Sequence, residues 1–247
     1  MTEHRFLLLQ AREPGDIAAQ HELESFARSL GVPTAAVRPW DLLRGTPDPT
    51  TLQAVDMLLV GGSGAFSVLD THLVWLREFM DFLEAVVVGQ RFPTFASCFG
   101  FQALVVAGGG LVVRDTERAE LGTLAIHLTP EGSADPLLGV HHPGFLGQLG
   151  HKDRAERLPS GCLHLAYSDL VPYQALRVEG APVFATQFHP ELDRAGNAFR
   201  CRAYATIYAR TGVAEEMEQV IADLQESPEA SALMARWVEQ ILDSDAD

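Results

Sequence analysis

The chain has 247 residues, of which 47% are hydrophobic and 21% charged, and its formal net charge is −15. This composition is ordinary for a globular protein that is long enough to bury a sizeable core. The charge argues against nucleic acid as a partner, because phosphate binding needs clustered positive side chains and the only lysine is Lys152.

The sequence also argues against a membrane or a secretory location. No apolar run approaches the roughly 18 residues that span a bilayer, and the apolar stretch near the N-terminus is too short for a signal peptide. The three cysteines, Cys98, Cys162 and Cys201, form no CxxC spacing, so neither a disulfide framework nor a zinc site is expected. The predicted location is therefore the cytoplasm, with no membrane association.

Strands and helices are predicted to alternate over roughly the first 110 residues. The helices have apolar residues at helical spacing over 16–30 and 70–87, and Gly31 is placed to end the first of them. The strands are expected at RFLLLQ (5–10), TAAVRPW (34–40), VDMLLV (55–60) and FPTFAS (92–97). This alternation indicates a parallel sheet that is covered on both faces.

The pattern changes after the three glycines at 108–110. Residues 111–132 alternate like a pair of antiparallel strands, which we expect as a small excursion at one edge of the sheet. Short strands follow in CLHLAYSD, QALRVEG and PVFATQFHPE, and from Asp193 onward the chain is mostly helical. We therefore predict one α/β domain over 1–210, with a mostly parallel central sheet and helices on both faces. A helical C-terminal extension over 211–247 is expected to pack on that domain.

The stretch FASCFGFQ (95–102) places a thiol between a buried strand and an apolar helix. At a helix N-terminus, free N–H groups and the positive end of the helix dipole favour the thiolate form of Cys98, which is the nucleophilic form. Gly100 would let the helix pass close to the strand. This is the arrangement of a nucleophile elbow with cysteine in place of serine, although a buried core cysteine remains an alternative for this stretch alone.

A base and an orienting carboxylate are supplied by ATQFHPEL (185–192), in which Pro190 separates His189 from Glu191. Proline pushes the preceding residue toward extended geometry, and residues two apart in an extended segment project to the same side. Glu191 is therefore expected to reach one nitrogen of His189 and to leave the other nitrogen facing Cys98.

The glycine-rich turn GGSG (61–64) follows a buried strand directly. No GK[ST] or GxGxxG accompanies it, so a phosphate-binding loop is a weak interpretation. Two alternatives are a tight turn at the end of a strand and a loop whose backbone N–H groups face an oxyanion. The histidines match no metal-ligand spacing, so we expect neither a metal nor a cofactor.

Taken together, SCFGFQ and TQFHPE resemble the signature pair of the class I (triad) glutamine amidotransferases. Other stretches are similar to further parts of that family: VDMLLVGGSG to its oxyanion loop, ELGTLAIHLTPEG to its edge excursion, GQLGHKDRAERLPSG to the loop lining the glutamine pocket, and AYSDLVPYQALRVEGAPVFATQFHPEL to the strands that lead to the histidine. The similarity extends over about residues 50–210, a length that suits one catalytic domain. The similarity is to a free-standing glutaminase-type domain, like the amidotransferase domain of GMP synthase. It implies the flavodoxin-like fold of the family.

The resemblance implies a role for each residue that matches a family motif. Cys98 would attack the side-chain amide carbon of glutamine, His189 would pass protons between the thiol and the leaving ammonia, and Glu191 would orient His189. The oxyanion would be held by backbone N–H groups of Phe99 and of either Gly61 or Gly62. The glutamine site would be shaped by Gln102 and by the backbone around Leu149, Gly150 and His151.

Two positions depart from the family pattern. Ala96 stands where the family usually has glycine, and Ser63 stands where proline is frequent; neither change removes a catalytic group. The implied reaction releases glutamate and ammonia from glutamine through a γ-glutamyl thioester, and the ammonia would go to a separate synthase subunit. Two alternatives remain open: a free-standing γ-glutamyl peptidase or hydrolase, and a non-enzymatic binding relative, which the intact triad disfavours.

Overall fold

The computed structural model describes residues 4–205 and 217–243. In chain order, the strands are β1 (Phe6–Gln10), β2 (Val37–Asp41), β3 (Met57–Val60), β4 (Thr94–Ser97), β5 (Leu111–Arg114), β6 (Glu120–Leu128), β7 (Gly144–His151), β8 (Asp153–Arg157), β9 (Cys162–Tyr167), β10 (Ala175–Val178) and β11 (Val183–Thr186). The helices of the described ranges are α1 (Ala18–Leu30), α2 (Pro49–Gln53), α3 (Val74–Phe82), α4 (Phe99–Ala107), α5 (Pro130–Ala134), α6 (Arg194–Ala203), α7 (Met217–Asp223), α8 (Pro228–Ser231) and α9 (Leu233–Val238). Short π-helical segments, Leu83–Gly89 and Glu239–Asp243, continue α3 and α9.

Nine strands form one sheet in the order β2-β1-β3-β4-β11-β10-β9-β6-β7. The strands from β2 to β11 in this order are parallel, and the remaining strands pair antiparallel. The predicted α/β fold with a mostly parallel sheet is confirmed. The antiparallel part is larger than the predicted edge excursion, because β9, β6 and β7 extend the main sheet.

The predicted pairing of two antiparallel strands within 111–132 is wrong. β5 pairs with β8 in a separate two-stranded sheet, whereas β6 pairs with β7 along its length. Charged contacts favour this pairing: Arg114 binds Asp153 with Nε to Oδ1 at 3.0 Å, and Arg154 binds Asp115 with Nε to Oδ2 at 2.8 Å. These contacts join the end of β5 to the start of β8.

The parallel strands are buried on both faces, which is why they read as continuous apolar runs. Within β1, Leu7 and Leu9 belong to the core on one face, and Phe6 and Leu8 belong to the core on the other. The second core also includes Trp237 of α9, so the described C-terminal helices pack against the sheet. The predicted boundary at 210/211 lies outside the described residues.

Three segments that were predicted to carry the chemistry follow neighbouring parallel strands. The glycine turn follows β3, Cys98 follows β4 and His189 follows β11, and β4 lies between the other two strands in the sheet. The carboxyl ends of parallel strands lie at one edge, where α/β folds commonly bind ligands. The sheet therefore brings these segments together. No helix of the described ranges has the length and apolar character to cross a bilayer.

Candidate active site

Cys98 lies at a strained corner between β4 and α4. Its backbone has φ 52° and ψ −103°, a conformation that residues other than glycine rarely adopt. Two backbone hydrogen bonds hold this geometry: the Cys98 N–H donates to the Thr186 carbonyl at 2.8 Å, and the Gln102 N–H donates to the Cys98 carbonyl at 3.0 Å. Such a strained strand-to-helix turn is typical of nucleophile elbows.

Gly100 sets how closely α4 approaches β3. A Cβ at this position would lie 2.6 Å from the carbonyl oxygen of Val60, which is closer than real Cβ atoms come to other atoms. The Gly100 N–H donates to the Gly61 carbonyl at 3.2 Å, so the start of the helix is joined to the glycine turn. Gly100 was predicted to let the helix pass close to the strand before Cys98, but the close approach that it permits is to the neighbouring strand β3.

His189 and Glu191 contact each other directly. Their closest atoms, His189 Nδ1 and Glu191 Oε1, are 2.6 Å apart, and both side chains are buried. Because a carboxylate only accepts, Nδ1 carries the proton and Nε2 is left for another partner. The segment is not extended as predicted: the Leu192 N–H donates to the His189 carbonyl at 3.3 Å, so the pair meets across a turn.

The pKa of His189 reflects the neighbours of its ring. Burial alone would lower this pKa, but the charge of Glu191, together with the charge and hydrogen bond of Cys98, raises it to about 10. Each of these two groups favours the imidazolium form of the ring. Burial raises the pKa of both Cys162 and Cys201 to about 11.

The three predicted oxyanion donors are in different states. The Gly61 N–H donates to the Leu9 carbonyl at 3.3 Å, and the Gly62 N–H donates to Glu22 Oε1 at 3.1 Å. Within the described residues, no acceptor is assigned to the N–H of Phe99 at the first position of α4. Phe99 is thus the donor that is ready for a ligand, whereas both glycines are already engaged.

A cleft of about 280 Å³ lies in front of Cys98 and His189. Of the residues predicted to shape the glutamine site, Gln102, Gly150 and His151 line it, whereas the Leu149 side chain is part of the buried core. Other residues in its wall are Gly62, Ser63, Gly64, Ala65, Phe66, Ser67, Asp70, Phe99, Arg114, Leu121, Lys152, Asp153, Leu192, Asn197, Arg200, Cys201 and Tyr204.

Two of the cleft side chains are fixed by hydrogen bonds. Gln102 donates from Nε2 to the Asp153 carbonyl at 2.7 Å and lies 3.1 Å from Gln187 Oε1. His151 is held at both nitrogens, with Nδ1 3.0 Å from the Asp153 carbonyl and Nε2 2.9 Å from Glu120 Oε2. This wall of the cleft is therefore built before any ligand arrives.

A buried charged cluster under the glycine turn was not predicted from the sequence. Glu22 on α1 is fully buried and binds Arg12, with Oε1 2.5 Å from Nη2, and Arg200 lies 3.7 Å from the same oxygen. A signal was present in the sequence: Glu22 lies one helical turn from both Ala18 and Phe26, on the face of α1 that is buried. A carboxylate in such a position requires a charged partner.

Within the described part of the chain, the histidines and carboxylates do not gather as metal ligands. In 4–205 and 217–243 there is no group of three or more His, Cys, Asp or Glu side chains arranged to hold a metal ion.

Comparisons with known proteins place this chain in a family. The profile of the family described as glutamine amidotransferase class-I matches residues 18–197. The glutamine-hydrolysing GMP synthase of a Nitratiruptor species is 35% identical over 101 residues, which are 40% of this chain and 19% of that protein. That of Thermosipho africanus is 28% identical over 158 residues, which are 64% of this chain and 28% of that protein. The chain therefore spans less than a third of the length of these relatives.

Solved structures share the fold at low sequence identity. A glutamine amidotransferase from Thermotoga maritima superposes with a TM-score of 0.73 at 14% identity, covering 97% of this chain and 98% of that one. A putative GMP synthase subunit from Thermoplasma acidophilum gives a TM-score of 0.60 at 18% identity, covering 89% and 98%.

Proposed function

The chain belongs to the class I glutamine amidotransferase family, and we propose that it hydrolyses the side-chain amide of glutamine to glutamate and ammonia through Cys98. The observation that carries this proposal is the contact between His189 and Glu191 at 2.6 Å, next to a thiol at a strained helix N-terminus. A cysteine, a histidine and an orienting carboxylate form the set that nucleophilic acyl transfer requires.

In the proposed first step, the Cys98 thiolate attacks the amide carbon of glutamine. The carbonyl oxygen becomes an oxyanion, which accepts a hydrogen bond from the Phe99 N–H. The His189 imidazolium then gives its proton to the amide nitrogen, and the C–N bond breaks to leave ammonia and a γ-glutamyl thioester. Glu191 stabilises the charge on His189 until that proton is transferred.

In the second step, water replaces ammonia in the same cleft. Neutral His189 takes a proton from the water, and the resulting hydroxide attacks the thioester carbon. The C–S bond then breaks, releasing glutamate and restoring the thiolate–imidazolium pair. No redox change or cofactor is needed for this sequence. A thiolate nucleophile must stay reduced between turnovers, so a cytoplasmic location forms part of the proposal.

We propose that the ammonia passes to a separate synthase subunit. The support comes from the names of the relatives, which include glutamine-hydrolysing GMP synthases and a putative GMP synthase subunit. These names suggest GMP synthesis as the reaction that consumes the ammonia, which is a further part of the proposal. Co-purification with a synthase would test it.

The primary test is glutamate release by the purified chain, from glutamine and from γ-glutamyl dipeptides. We expect glutamine to be hydrolysed and Cys98→Ala to lose at least about 10³-fold in kcat. Cys201→Ala is the matched control, because Cys201 lines the same cleft and burial keeps it a neutral thiol. Equal loss in both variants would contradict the assignment of Cys98.

The substrate panel separates the proposed function from its alternative. Turnover of γ-glutamyl dipeptides without turnover of glutamine would assign a γ-glutamyl peptidase activity instead. If no substrate releases glutamate, labelling with a glutamine-mimicking electrophile decides: failure to label Cys98 would contradict a glutamine site.

A further inference from the structure

The peptide bond between Gly61 and Gly62 is held at both of its polar ends. Its carbonyl oxygen, on Gly61, accepts the Gly100 N–H at 3.2 Å, and its N–H, on Gly62, donates to Glu22 Oε1 at 3.1 Å. Glu22 also packs closely here, because a Cβ on Gly61 would lie 2.5 Å from the same oxygen. The position of Glu22 therefore determines where the Gly62 N–H points.

Glu22 carries a negative charge in this position. Burial would raise the pKa of Glu22, but the neighbouring Arg12 and Arg200 guanidinium groups lower it. Arg12 donates twice, from Nη2 at 2.5 Å to Oε1 and from Nε at 3.2 Å to Oε2, and Gln10 donates at 2.9 Å. A hydrogen bond to an ionised acceptor is roughly twice as strong as a neutral one, so the Gly62 N–H is firmly held.

Gly62 is also adjacent to the reacting groups. A Cβ on Gly62 would lie 3.0 Å from His189 Cε1, and Gly62 lines the same cleft as Cys98. An oxyanion formed on a substrate at Cys98 needs preorganised donors, and each donor contributes about 10²–10³-fold in rate. Because the Gly62 N–H is directed at Glu22, the Phe99 N–H is the one of these two donors that is available to the oxyanion.

Resting on the proposed function, we propose that Glu22 is a positioning residue that holds the Gly62 N–H away from the oxyanion and so keeps glutamine hydrolysis slow. Full activity requires this N–H to leave Glu22 for the substrate oxygen. A carboxylate beside the same donor also opposes a second negative charge there, so both effects act in one direction. An amidotransferase gains from such restraint because ammonia made without an acceptor is wasted.

The test is Glu22→Gln in the full chain, assayed with glutamine alone. The side chain introduced by Glu22→Gln keeps an oxygen for Arg12 but carries no charge. We therefore expect kcat for glutamine hydrolysis to rise about tenfold with little change in KM. Alkylation of Cys98 by iodoacetamide forms no oxyanion, and its rate should stay unchanged. Glu24→Gln is the matched control, since Glu24 is an exposed residue of the same helix and should change neither rate.

A second variant protects the test against a folding defect. Glu22→Asp keeps the charge for Arg12 but shortens the side chain, so its carboxylate should lose the Gly62 N–H and kcat should again rise. An unchanged or lower kcat in whichever variant is folded would overturn the inference, because a merely structural Glu22 predicts loss. The proposed function would stand in that case. Absence of glutamate release from every variant, wild type included, would also overturn the inference, and failure of the glutamine-mimicking electrophile to label Cys98 would then overturn the proposed function as well.

Discussion

The nucleophile corner (98–100) and the glycine turn (61–64) face the same cleft, but different interactions hold them in place. The corner is fixed by its own backbone, through the hydrogen bonds of Cys98 to Thr186 and of Gly100 to Gly61. The turn is fixed by a buried carboxylate far away in the sequence, Glu22, and by the arginines that pair with it. Of the two N–H groups that we propose as oxyanion donors, that of Phe99 at the corner therefore has no assigned acceptor in the described ranges, whereas that of Gly62 is occupied.

Two donors to one oxyanion thus need not be equally ready. Backbone hydrogen bonds at the corner leave the Phe99 N–H pointing out of a helix end, where no acceptor in the described ranges competes for it. The Gly62 N–H faces an ionised side chain that competes with substrate. Substitutions at the corner should therefore affect the chemistry first, and substitutions in the charged cluster should affect stability first.

The largest effect is expected from Gly100→Ala. The added methyl group would lie 2.6 Å from the Val60 carbonyl oxygen, so α4 must move away from β3 and carry Cys98 with it. A displacement of about 1 Å at a catalytic group costs about 100-fold in rate, and overpacking costs about 1–3 kcal/mol in the free energy of unfolding. Glutaminase assays and urea denaturation measure the two.

Ala103→Gly is the control for this prediction. It changes one methyl group in the same helix, within two turns of Cys98, and costs about 1 kcal/mol through helix propensity, to which the loss of a buried core methyl group adds. Its kcat should match that of the wild type. Equal losses of kcat in both variants would show that helix stability, rather than the approach of α4 to β3, sets the position of the thiol.

Arg12→Met is expected to have the largest effect on stability in the charged cluster. It leaves the buried Glu22 carboxylate without its main partner, and breaking a buried ion pair costs about 3 kcal/mol. Arg28→Met on α1 removes only an exposed contact to Asp193 at 3.4 Å and should leave the urea midpoint unchanged. Similar midpoints for the two variants would contradict the view that the turn rests on buried charge.

The sequence predicts the corner better than the turn, and the reason is physical. Strand, small residues, Cys98 and helix are consecutive, so local periodicity and steric rules are enough to place the thiol. His189 and Glu191 are also close in sequence, although the turn that joins them was predicted as an extended segment. Glu22 was missed because its partners come from other elements, and no local pattern states that a buried carboxylate will reach Gly62.

The same distinction applies to the fold. Parallel strands that are buried on both faces are apolar throughout, so their place in the alternating pattern was readable. The partner of β5 was not readable, because β8 lies far from β5 in the sequence and the contacts between them, such as Arg114 with Asp153, leave no local pattern. Alternation predicts that a strand has a partner but does not identify which one.

A smaller effect concerns pH and separates the two regions by their titration. His189 has its pKa raised from 6.5 to about 10, so its contribution to stability is complete below pH 6.5 and is lost as the pH rises through 10. Glu22 has a lowered pKa and Arg12 a raised one, so this pair does not titrate in that range. The free energy of unfolding should fall as the pH rises from 6.5 toward 10.

Two variants test whether His189 causes the pH effect. Urea denaturation of His189→Gln should give a flatter pH profile than the wild type, whereas Arg28→Met, which removes only an exposed contact to Asp193, should keep the wild-type slope. A wild-type slope in His189→Gln would contradict the raised pKa.

The weakest effects are expected at two serines, one beside each region. The Ser97 hydroxyl, next to Cys98, is buried and has no hydrogen-bond partner in the described part of the chain, whereas Ser63 Oγ accepts the Phe66 N–H at 3.0 Å. Removing an unpaired buried hydroxyl relieves its desolvation cost, so Ser97→Ala should be neutral or stabilising by up to about 1 kcal/mol. Ser63→Ala should destabilise by about 0.5–1 kcal/mol, since the Phe66 N–H loses its acceptor.

Opposite signs of the two changes in the free energy of unfolding, measured by urea denaturation, would support this view of the two regions. Destabilisation of Ser97→Ala comparable to that of Ser63→Ala would mean that the Ser97 hydroxyl has a partner, such as a bound water, and that the corner also depends on side-chain hydrogen bonds.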